Sequence, residues 1–447
     1  MKLAVQQSAP LRWLDIFRLG LVQAALGSVV VLISSTLNRV MVVEYALPAV
    51  LPGMLVALHY AVQMIRPRFG YGSDRGGRRT PWILGGMAVL AIGGILCAVA
   101  TVSISSNPIP ALALAVIAYA MVGLGVGAAG TSLLVFAAKR VAENRRAAAS
   151  TIMWILMIAG FAITSTAVGH FLDPFSPRRL IVVTSIAAGI AFGVSVLALW
   201  RVEGAPGIVG KQAPTTPALT GTPPFKAALQ RVWAEPQARG FTVFVFISML
   251  AYSAQELLLE PFAGLVFGYS LGESARFSGL WHASALLGMI AVGVACSGKR
   301  RFGSLRTWTV AGCCASAVAL LSLCCADLIG PHWPLRVSVA FLGVSNGAFA
   351  VAAIGSMMEL AHQGESNSAG VRMGIWGAAQ AIAFALGGVL GTSVVDSMRF
   401  FFGSPVVAFA VVFGVEALLF LIAASFAGKI DSRSKRRAAR QVGAHAV

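Results

Sequence analysis

The sequence predicts an all-α integral membrane protein with twelve transmembrane helices arranged as two six-helix bundles. Two properties of the 447-residue chain carry this prediction: hydrophobic residues make up 57% of it, and charged residues make up only 11%. A soluble domain is usually about one quarter charged, and so apolar a chain cannot hide its surface from water. The apolar segments are continuous rather than alternating, which favours helices over the strands of a membrane β-barrel.

Hydropathy divides the chain into twelve apolar segments, each long enough to cross a hydrocarbon layer about 30 Å thick as a helix. The predicted spans are Ile16–Leu37, Leu47–Ile65, Trp82–Val102, Ile109–Ala137, Ala147–His170, Leu180–Trp200, Phe241–Phe267, Phe277–Ser297, Trp308–Asp327, Leu335–Leu360, Met373–Val395 and Pro405–Ala427. Six spans therefore precede the polar middle of the chain and six follow it.

The polar middle of the chain, residues 203–224, is rich in Gly, Pro and Thr and has no apolar period, so it predicts a flexible linker. Phe225, Leu229, Val232 and Trp233 follow at helical spacing and predict a short amphipathic helix on the membrane surface. The predicted organisation is an N-terminal bundle over 1–201, a cytoplasmic linker over 202–239, a C-terminal bundle over 240–429 and a basic cytoplasmic tail over 430–447.

The basic residues are distributed unequally across the predicted membrane. All but six of the 34 Lys and Arg residues fall on the side that carries both termini, the linker and the even-numbered loops. The exceptions are Arg39, Arg178, Arg179, Arg276, Arg336 and Arg399. By the positive-inside rule both termini are predicted to be cytoplasmic. A net charge of +18 could also indicate nucleic acid, but no aromatic residues interleave with a basic patch, so we expect no nucleic-acid partner.

The loop between the second and third spans is short, basic and rich in glycine. Gly70 and Gly77 allow the chain to turn tightly between packed helices. Asp74 can accept hydrogen bonds from a helix start, and Arg78 and Arg79 can form ion pairs or bind anionic headgroups. These residues predict a conformational latch between the two halves. The alternative is a structural turn that only fixes topology.

The same loop pattern occurs again in the second half of the chain. Residues 297–303, between the eighth and ninth spans, keep the basic residues and the glycines but lack the acidic residue. Two six-helix bundles related by such a parallel repeat are the arrangement of the major facilitator fold. The sequence therefore predicts that fold.

The seventh span contains a predicted membrane polar site around Gln255, Glu256 and Glu260. The two glutamates lie one helical turn apart on one face, followed by Pro261, which frees a carbonyl in the preceding turn. A charged carboxylate at bilayer depth costs at least about 2–3 kcal/mol, so such residues usually face a bundle interior. They are candidates for binding a proton or a cation. The alternative is that this segment lies near the periplasmic interface, where a glutamate costs little.

Four further polar or aromatic residues within the spans are candidate site residues. Trp376 and Gln380, one turn apart in the eleventh span, could line a cavity or pack on a partner. His59 and His282 could ligate the magnesium of a chlorophyll-type ring, because neutral imidazole is a good axial ligand. The alternative for either histidine is a hydrogen bond between helices.

Several kinds of catalytic site have no support in the sequence. There is no phosphate-binding loop, no supported serine–histidine–acid set and no Cys/His cluster at metal spacing. The loops are also too short for a catalytic domain. We therefore expect no catalytic residues, no bound metal and no enzymatic activity.

Five segments of the chain carry a family resemblance, namely residues 36–44, 58–63, 76–83, 255–262 and 372–380. They resemble the PucC/LhaA family, a branch of the major facilitator superfamily in phototrophic bacteria. The loop segment alone indicates only the superfamily, whereas the strings from the seventh and eleventh spans are more discriminating. One departure is Glu256, where many members of the family have Asp, so the acid is kept but its reach is longer.

The resemblance implies a role in assembling bacterial light-harvesting antenna complexes in the inner, or intracytoplasmic photosynthetic, membrane. The implied partners are antenna polypeptides, bacteriochlorophyll or its biosynthetic enzymes, and membrane lipids, with bacteriochlorophyll bound transiently. The alternative from a different class is a transporter of a pigment precursor or other small molecule, proton-coupled through Glu256 or Glu260. An assembly factor predicts an exposed groove of small and aromatic residues, whereas a transporter predicts a central polar cavity.

Overall fold

The computed structural model of the chain describes residues 11–65, 78–142, 145–203, 230, 233–296, 302–329, 333–362 and 369–444. No β-strand occurs in these residues, and they form twelve long helices. The helices are α1 (Trp13–Val31), α2 (Val50–Val62), α3 (Thr80–Ser103), α4 (Pro108–Arg140), α5 (Arg146–Phe171), α6 (Pro177–Leu199), α7 (Pro236–Phe267), α8 (Leu271–Cys296), α9 (Leu305–Ile329), α10 (Leu335–His362), α11 (Ala369–Phe402) and α12 (Pro405–Ala444).

Eleven helices in the described part of the chain are long and apolar enough to cross a membrane. The remaining one, α2, is shorter and reaches Ile65 through a 3₁₀ turn. It begins later than predicted because Leu47 precedes Pro48, and a residue before proline is disfavoured in helical geometry. The predicted all-α membrane architecture is confirmed, with each predicted span matched by one helix.

The first span is longer than predicted. After α1 the chain continues as π-helical turns over Leu32–Leu37 and Val40–Glu44. Arg39, which follows the predicted end of this span, is 1% exposed within the helical extension. The guanidinium finds hydrogen-bond acceptors inside the protein, which removes its need for water, and the side of the membrane on which it was counted stays a prediction.

The last helix also extends beyond its predicted end. The backbone of α12 is helical to Ala444, through most of the segment predicted only as a basic tail over 430–447. Alanine and arginine are the commonest residues of this segment, and both are strong helix formers.

Packing contacts group the chain into two compact units. The first unit comprises Met1–Ile33, Val62–Ser165 and Ser176–Gln212, and the second comprises Ser34–Ala61, Thr166–Phe175 and Ala213–Val447. Two segments that were predicted in the N-terminal bundle therefore group with the second unit, because their polar contacts go to α7, α8 and α11. The predicted boundaries of the bundles, the linker and the tail stay predictions.

Close helix packing in the first unit depends on small residues. Gly86 of α3 and Gly125 of α4 face each other's backbone, and Gly160 of α5 lies against the backbone of Ala24 in α1. A side chain at any of these glycines would push two helices apart, as expected where helices associate by van der Waals packing. The second unit has such contacts as well, with Gly347 of α10 against the backbone of Ala285 in α8. Aromatic side chains also pack there, with the Phe262 ring 5.0 Å from that of Phe413.

Candidate functional site

The two glutamates of α7 are buried in the second unit. Glu256 is 7% exposed and Glu260 is fully buried. Ser34 Oγ donates a hydrogen bond to Glu256 Oε1, and Ser35 Oγ donates one to Glu260 Oε1, each over 2.7 Å. Both serines lie in the first π-helical segment that follows α1, a geometry that is frequent at functional sites. The structure thus places the glutamates against another helix rather than at an open interface.

Glu260, the more buried of the two glutamates, can accept a further hydrogen bond. Ser35 Oγ also lies 3.4 Å from Ser278 Oγ of α8, so three helices meet at Glu260. The second carboxyl oxygen, Glu260 Oε2, has no hydrogen-bond partner among the residues that the structure describes. An unpaired buried acceptor costs free energy, so this oxygen is where a proton, a water or another donor would bind.

Pro261 removes one backbone hydrogen bond from α7 beside the glutamates. It lacks an N–H group, so the carbonyl of Leu257, one turn earlier, cannot make its usual helical bond. Asn38 Nδ2, from the extension of α1, donates to that carbonyl oxygen. The freed carbonyl that the sequence predicted is therefore present, and a buried amide from the first span satisfies it.

Arg39 is a buried cation close to the glutamate pair. Its Nη2 donates to the Tyr269 carbonyl oxygen over 2.7 Å, its Nε donates to Ser274 Oγ over 3.2 Å, and its Nη1 pairs with Glu44. Arg39 stands four positions after Ser35, so both face α7 and α8 from one side of the same helix. The guanidinium ties the end of the first span to the first turn of α8.

Gln255 belongs to a different polar network from its neighbour Glu256. Its Oε1 accepts from Asn346 Nδ2 over 2.7 Å, and Asn346 Oδ1 accepts from Ser316 Oγ over 2.8 Å. Glu416 of α12 is buried on this side of α7 and faces Gln255. The two adjacent residues of α7 thus point into two separate sets of helices.

Trp376 and Gln380 of α11 pack against the earlier turns of α7. The Trp376 ring lies edge-on to Phe241 at 4.9 Å, and Gln380 Nε2 lies 3.8 Å from Met249 Sδ. All five residues of the predicted polar site therefore lie on α7 or beside it. Among these five, only Glu256 and Glu260 accept hydrogen bonds from the π-helical segment Leu32–Leu37.

The two candidate pigment ligands lie at opposite ends of a continuous chain of rings. His59 is 4.7 Å from Tyr60, and His282 is 4.7 Å from Trp281. Between them stand Phe384, 5.1 Å from Tyr60, and Tyr252, 6.0 Å from Phe384 and 5.6 Å from Trp281. His282 Nδ1 is also 2.9 Å from the carbonyl oxygen of Ser278, in the previous turn of its own helix.

Both histidines are buried, His59 at 4% and His282 at 1% exposure. A ring as large as a chlorin would have to displace packed aromatic side chains to reach either imidazole. Pigment ligation by these histidines stays a prediction that requires such a movement.

The arginines of the predicted latch have a partner within the first unit. Glu203, just after α6, accepts hydrogen bonds from the backbone N–H groups of Arg79 and Thr80 over 2.6 and 2.9 Å, and Arg78 Nε lies 3.8 Å away. Burial favours the neutral acid, but the bonds from Thr80 and Arg79 and the charge of Arg78 outweigh it and lower the pKa of Glu203. Gly70, Asp74 and Gly77 lie outside the described residues.

An apolar groove lies between α3 and α4 of the first unit, with a volume of about 410 Å³. It is open at Gly85, which is exposed and where an added Cβ would touch nothing. It is lined by Pro81, Trp82, Gly85, Gly86, Val89, Leu124 and Ala128. One large ring beside several small residues makes a surface that suits an apolar helix or ring system rather than a polar solute.

Other site types find no support in the described part of the chain. No three His, Cys, Asp or Glu side chains there are grouped so that they could hold a metal ion. The partners that sequence reasoning missed are Ser34, Ser35, Ser278 and Glu203. Only Ser34 and Ser35 gave a signal, as part of a polar Ser-Ser-Thr run inside an apolar span.

Comparison with known proteins identifies both family and fold. The family model described as PUCC protein matches residues 36–435. The "Bacteriochlorophyll synthase 44.5 kDa chain" of Rhodobacter capsulatus is 51% identical over 429 residues, which cover 96% of this chain and 98% of that protein. "Protein PucC" of Rhodobacter capsulatus is 28% identical over 440 residues, which cover 94% of this chain and 93% of that protein.

Solved structures similar to this one are transporters. A bacterial homologue of the human lysosomal transporter Spinster has a TM-score of 0.69 at 14% identity, covering 92% of this chain and 95% of that one. A D-xylose–proton symporter has a TM-score of 0.69 at 16% identity, covering 94% and 97%. At such identities the likeness concerns the fold alone, and it confirms the predicted major facilitator fold. The chain is a multi-pass membrane protein, and it belongs to the PUCC protein family.

Proposed function

We propose that the chain is a membrane assembly factor for bacterial light-harvesting antenna complexes, which binds antenna polypeptides, bacteriochlorophyll or both. Membership of the PUCC family and the name of the relative that is 51% identical support the bacteriochlorophyll context. The structural observation that carries the proposal is the groove between α3 and α4, because it has the small and aromatic lining expected of an assembly factor.

The chemistry of the groove favours a membrane-embedded client. In lipid no hydrophobic force drives helices together, so association depends on close packing against small residues and on shape. Gly85 leaves room for an incoming side chain, Gly86 and Ala128 occupy little volume in the groove, and Trp82 supplies a flat ring. An apolar transmembrane helix of an antenna polypeptide fits these features, as does the ring or tail of bacteriochlorophyll.

We propose a non-catalytic role for this protein. Several buried polar groups of the second unit are hydrogen-bonded to one another, as Ser34 is to Glu256 and Asn346 is to Gln255. Such pairs suit packing and conformational control better than chemistry on a substrate. Bacteriochlorophyll would then be a transient client and not a resident cofactor.

We also propose that the protein lies in the bacterial inner or intracytoplasmic photosynthetic membrane with both termini in the cytoplasm. The asymmetric distribution of Lys and Arg over the loops supports this orientation. Reporter fusions within residues 203–224 and at the C-terminus are expected to report the cytoplasm. A periplasmic signal from either fusion would contradict the orientation.

The groove is tested by Gly85→Leu in the full chain, purified from pigmented cells. The leucine side chain is expected to occupy the groove and to reduce co-purifying antenna polypeptide and bacteriochlorophyll by about tenfold, equivalent to about 1.4 kcal/mol of binding. Immunoblotting measures the polypeptide, and the absorption spectrum measures the pigment. Loss of only one of the two identifies which client the groove holds.

The matched control is Gly189→Leu on α6. Gly189 is likewise exposed, and an added Cβ there would touch nothing, but it lies outside the groove. We expect wild-type amounts of client with this variant. Equal client binding by Gly85→Leu and the wild type would contradict the proposed role of the groove.

The second candidate function is transport of a pigment precursor or another small molecule, coupled to protons. The observation in its favour is the pair of buried glutamates, of which Glu260 keeps one oxygen unpaired. Intramembrane carboxyl groups of this kind occur in proton relays. This alternative requires that Glu256 or Glu260 can take up and release a proton, so replacing both glutamates tests it.

A further inference from the structure

Asp396, near the end of α11, caps the N-terminus of α2. Its Oδ1 accepts a hydrogen bond from the Ala49 N–H over 2.9 Å, and its Oδ2 accepts one from the Val50 N–H over 2.7 Å. The first N–H groups of a helix have no partner within the helix and carry partial positive charge, so a carboxylate there supplies both hydrogen bonds and charge. The aspartate thereby links two helices that are far apart in sequence.

Asp173, just after α5, closes the start of α8 in the same way. Its Oδ1 accepts from Ser270 Oγ over 2.8 Å and from the Gly272 N–H over 3.3 Å. Its Oδ2 accepts from Arg276 Nη2 over 3.2 Å. A second carboxylate thus caps a second helix start, again across a long separation in sequence.

The two caps are copies of one arrangement. The distance along the chain from Asp173 to Asp396 equals the distance from Ala49 to Gly272, so the members of each pair hold equivalent positions in the two halves of the chain. Asp396 accepts from the Ala49 N–H, and Asp173 accepts from the N–H of the equivalent residue, Gly272. The contact has therefore been duplicated with its partners exchanged, as a two-fold relation between internal repeats requires.

The surrounding contacts follow the same repeat. Gly169 and Thr392 stand four residues before the two aspartates, and Gly53 and Arg276 are separated by the same distance along the chain. Arg276 Nη1 donates to the Gly169 carbonyl oxygen over 3.0 Å, and a side chain on Gly53 would collide with Thr392. Each aspartate is thus flanked by a second close contact between equivalent positions.

We propose that Asp173 and Asp396 form a paired clasp, which holds together the end of the second unit where α2 and α8 begin, and that loss of either cap releases both. Segments 34–61 and 166–175 precede the linker, whereas α8 and α11 follow it, so each half of the clasp joins the earlier part of the chain to the later part. The inference does not depend on the proposed role in antenna assembly.

The clasp is suited to reversible opening. Asp173 and Arg276 keep about a third of their side-chain surface exposed, so their ion pair is screened and contributes little by itself. The stabilisation comes mainly from capping, which is lost when the helix start moves away by a few ångströms. Two weak and equivalent closures give a contact that holds while both are made and opens when one fails.

The clasp is also connected to the buried glutamates. Arg39 donates to Ser274 Oγ in the first turn of α8, which Asp173 caps, and to the Tyr269 carbonyl oxygen just before that helix. One turn before Arg39, Ser35 donates to Glu260. The extension of α1 thus runs directly from the glutamate site to the clasp.

The test measures hydrogen exchange by mass spectrometry on the full-length protein in lipid nanodiscs. In Asp396→Ala, peptides covering 45–55 are expected to exchange roughly tenfold faster, as the loss of a charged cap permits. If the two caps act together, peptides covering 268–278 should accelerate by a similar factor. Asp173→Ala should produce the reciprocal result.

The matched control is Asp15→Ala. Asp15 accepts a hydrogen bond from the Arg12 N–H at the start of α1 and is not part of the clasp, so exchange at 45–55 and 268–278 should not change. Unaltered exchange in α3 verifies that each variant is folded, and Asp396→Asn, which keeps one acceptor, replaces an alanine variant that does not fold. Acceleration confined to the helix start next to the substituted aspartate would overturn the clasp and leave two independent caps.

Discussion

At the scale of single residues, Glu203 shows how one carboxylate can define a helix start. It accepts from two successive N–H groups at the beginning of α3, which are the groups that a helix leaves unpaired. The neighbouring Arg78 is half exposed, so its ion pair contributes little beyond these hydrogen bonds. The basic loop that precedes α3 therefore ends on a cap supplied by the end of α6.

The lowered pKa of Glu203 gives a pH dependence with a defined sign. Because the folded protein favours the ionised form, the stabilisation is present above the ordinary pKa near 4.5 and is lost as the pH falls through the lower folded-state pKa. We expect Glu203→Gln to lower stability by about 1 kcal/mol at neutral pH, the usual value of a cap. Thermal unfolding of purified wild type and variant measures this difference.

The same titration provides an internal control. At a pH below the folded-state pKa of Glu203, wild type and variant carry similar neutral side chains, so their stabilities should converge. A difference in stability that is independent of pH would mean that the carboxylate charge is not responsible.

At the scale of helices, the kink residue of α7 and the amide of Asn38 form one unit. Pro261 leaves the Leu257 carbonyl without its helical partner, and Asn38 replaces that partner. We expect Asn38→Ala to destabilise the protein by about 1–3 kcal/mol, because a buried carbonyl is left unpaired. Unfolding in mixed detergent micelles measures the loss.

Pro261→Ala supplies the matched comparison, because alanine restores the N–H group that pairs with Leu257. In that background the cost of Asn38→Ala should fall by at least about half, which a double-mutant cycle measures as a coupling energy. Equal costs of Asn38→Ala in both backgrounds would show that Asn38 stabilises the protein by some other contact.

The helices were predictable from sequence because continuous hydropathy depends on local composition alone. The freed carbonyl one turn before Pro261 was also predictable, because proline lacks an N–H group in every fold. The burial of Arg39 was not predictable, since a charged residue next to a span resembles a loop anchor until its acceptors at the start of α8 and just before it are known. Ser34 and Ser35 gave only a weak signal, because serine is common in membrane helices and its partner can lie anywhere.

The contacts of the site depend on chain segments hundreds of residues apart, which no local pattern encodes. The pairing of Asp396 with the start of α2 is an example: each residue looks ordinary until the fold brings them together. Internal repetition offered a partial guide, since the loop repeat predicted two related halves. The repeat did not indicate that Asp173 and Asp396, at equivalent positions of the two halves, would each cap a helix of the other half.

At the scale of the whole molecule, the buried glutamates distinguish assembly from proton-coupled transport. Glutamine keeps the shape of glutamate and one acceptor oxygen, so Glu256→Gln with Glu260→Gln should preserve the bonds from Ser34 and Ser35 but abolish titration. If the protein acts as an assembly factor through its groove, cells that carry this double variant in place of the wild type should accumulate antenna complexes normally. Absorption spectra of isolated membranes measure that accumulation.

Proton-coupled transport makes the opposite prediction, because a carboxyl group that cannot lose its proton cannot carry one. Antenna absorbance should then fall at least about tenfold, to the level of a strain that lacks the gene. Immunoblotting for the protein in the membrane separates this outcome from simple loss of folding. Glu273→Gln is the control, because Glu273 caps the exposed start of α8 and takes no part in the buried site. Loss of antenna in the double variant at normal protein abundance, with Glu273→Gln unaffected, would favour transport over assembly.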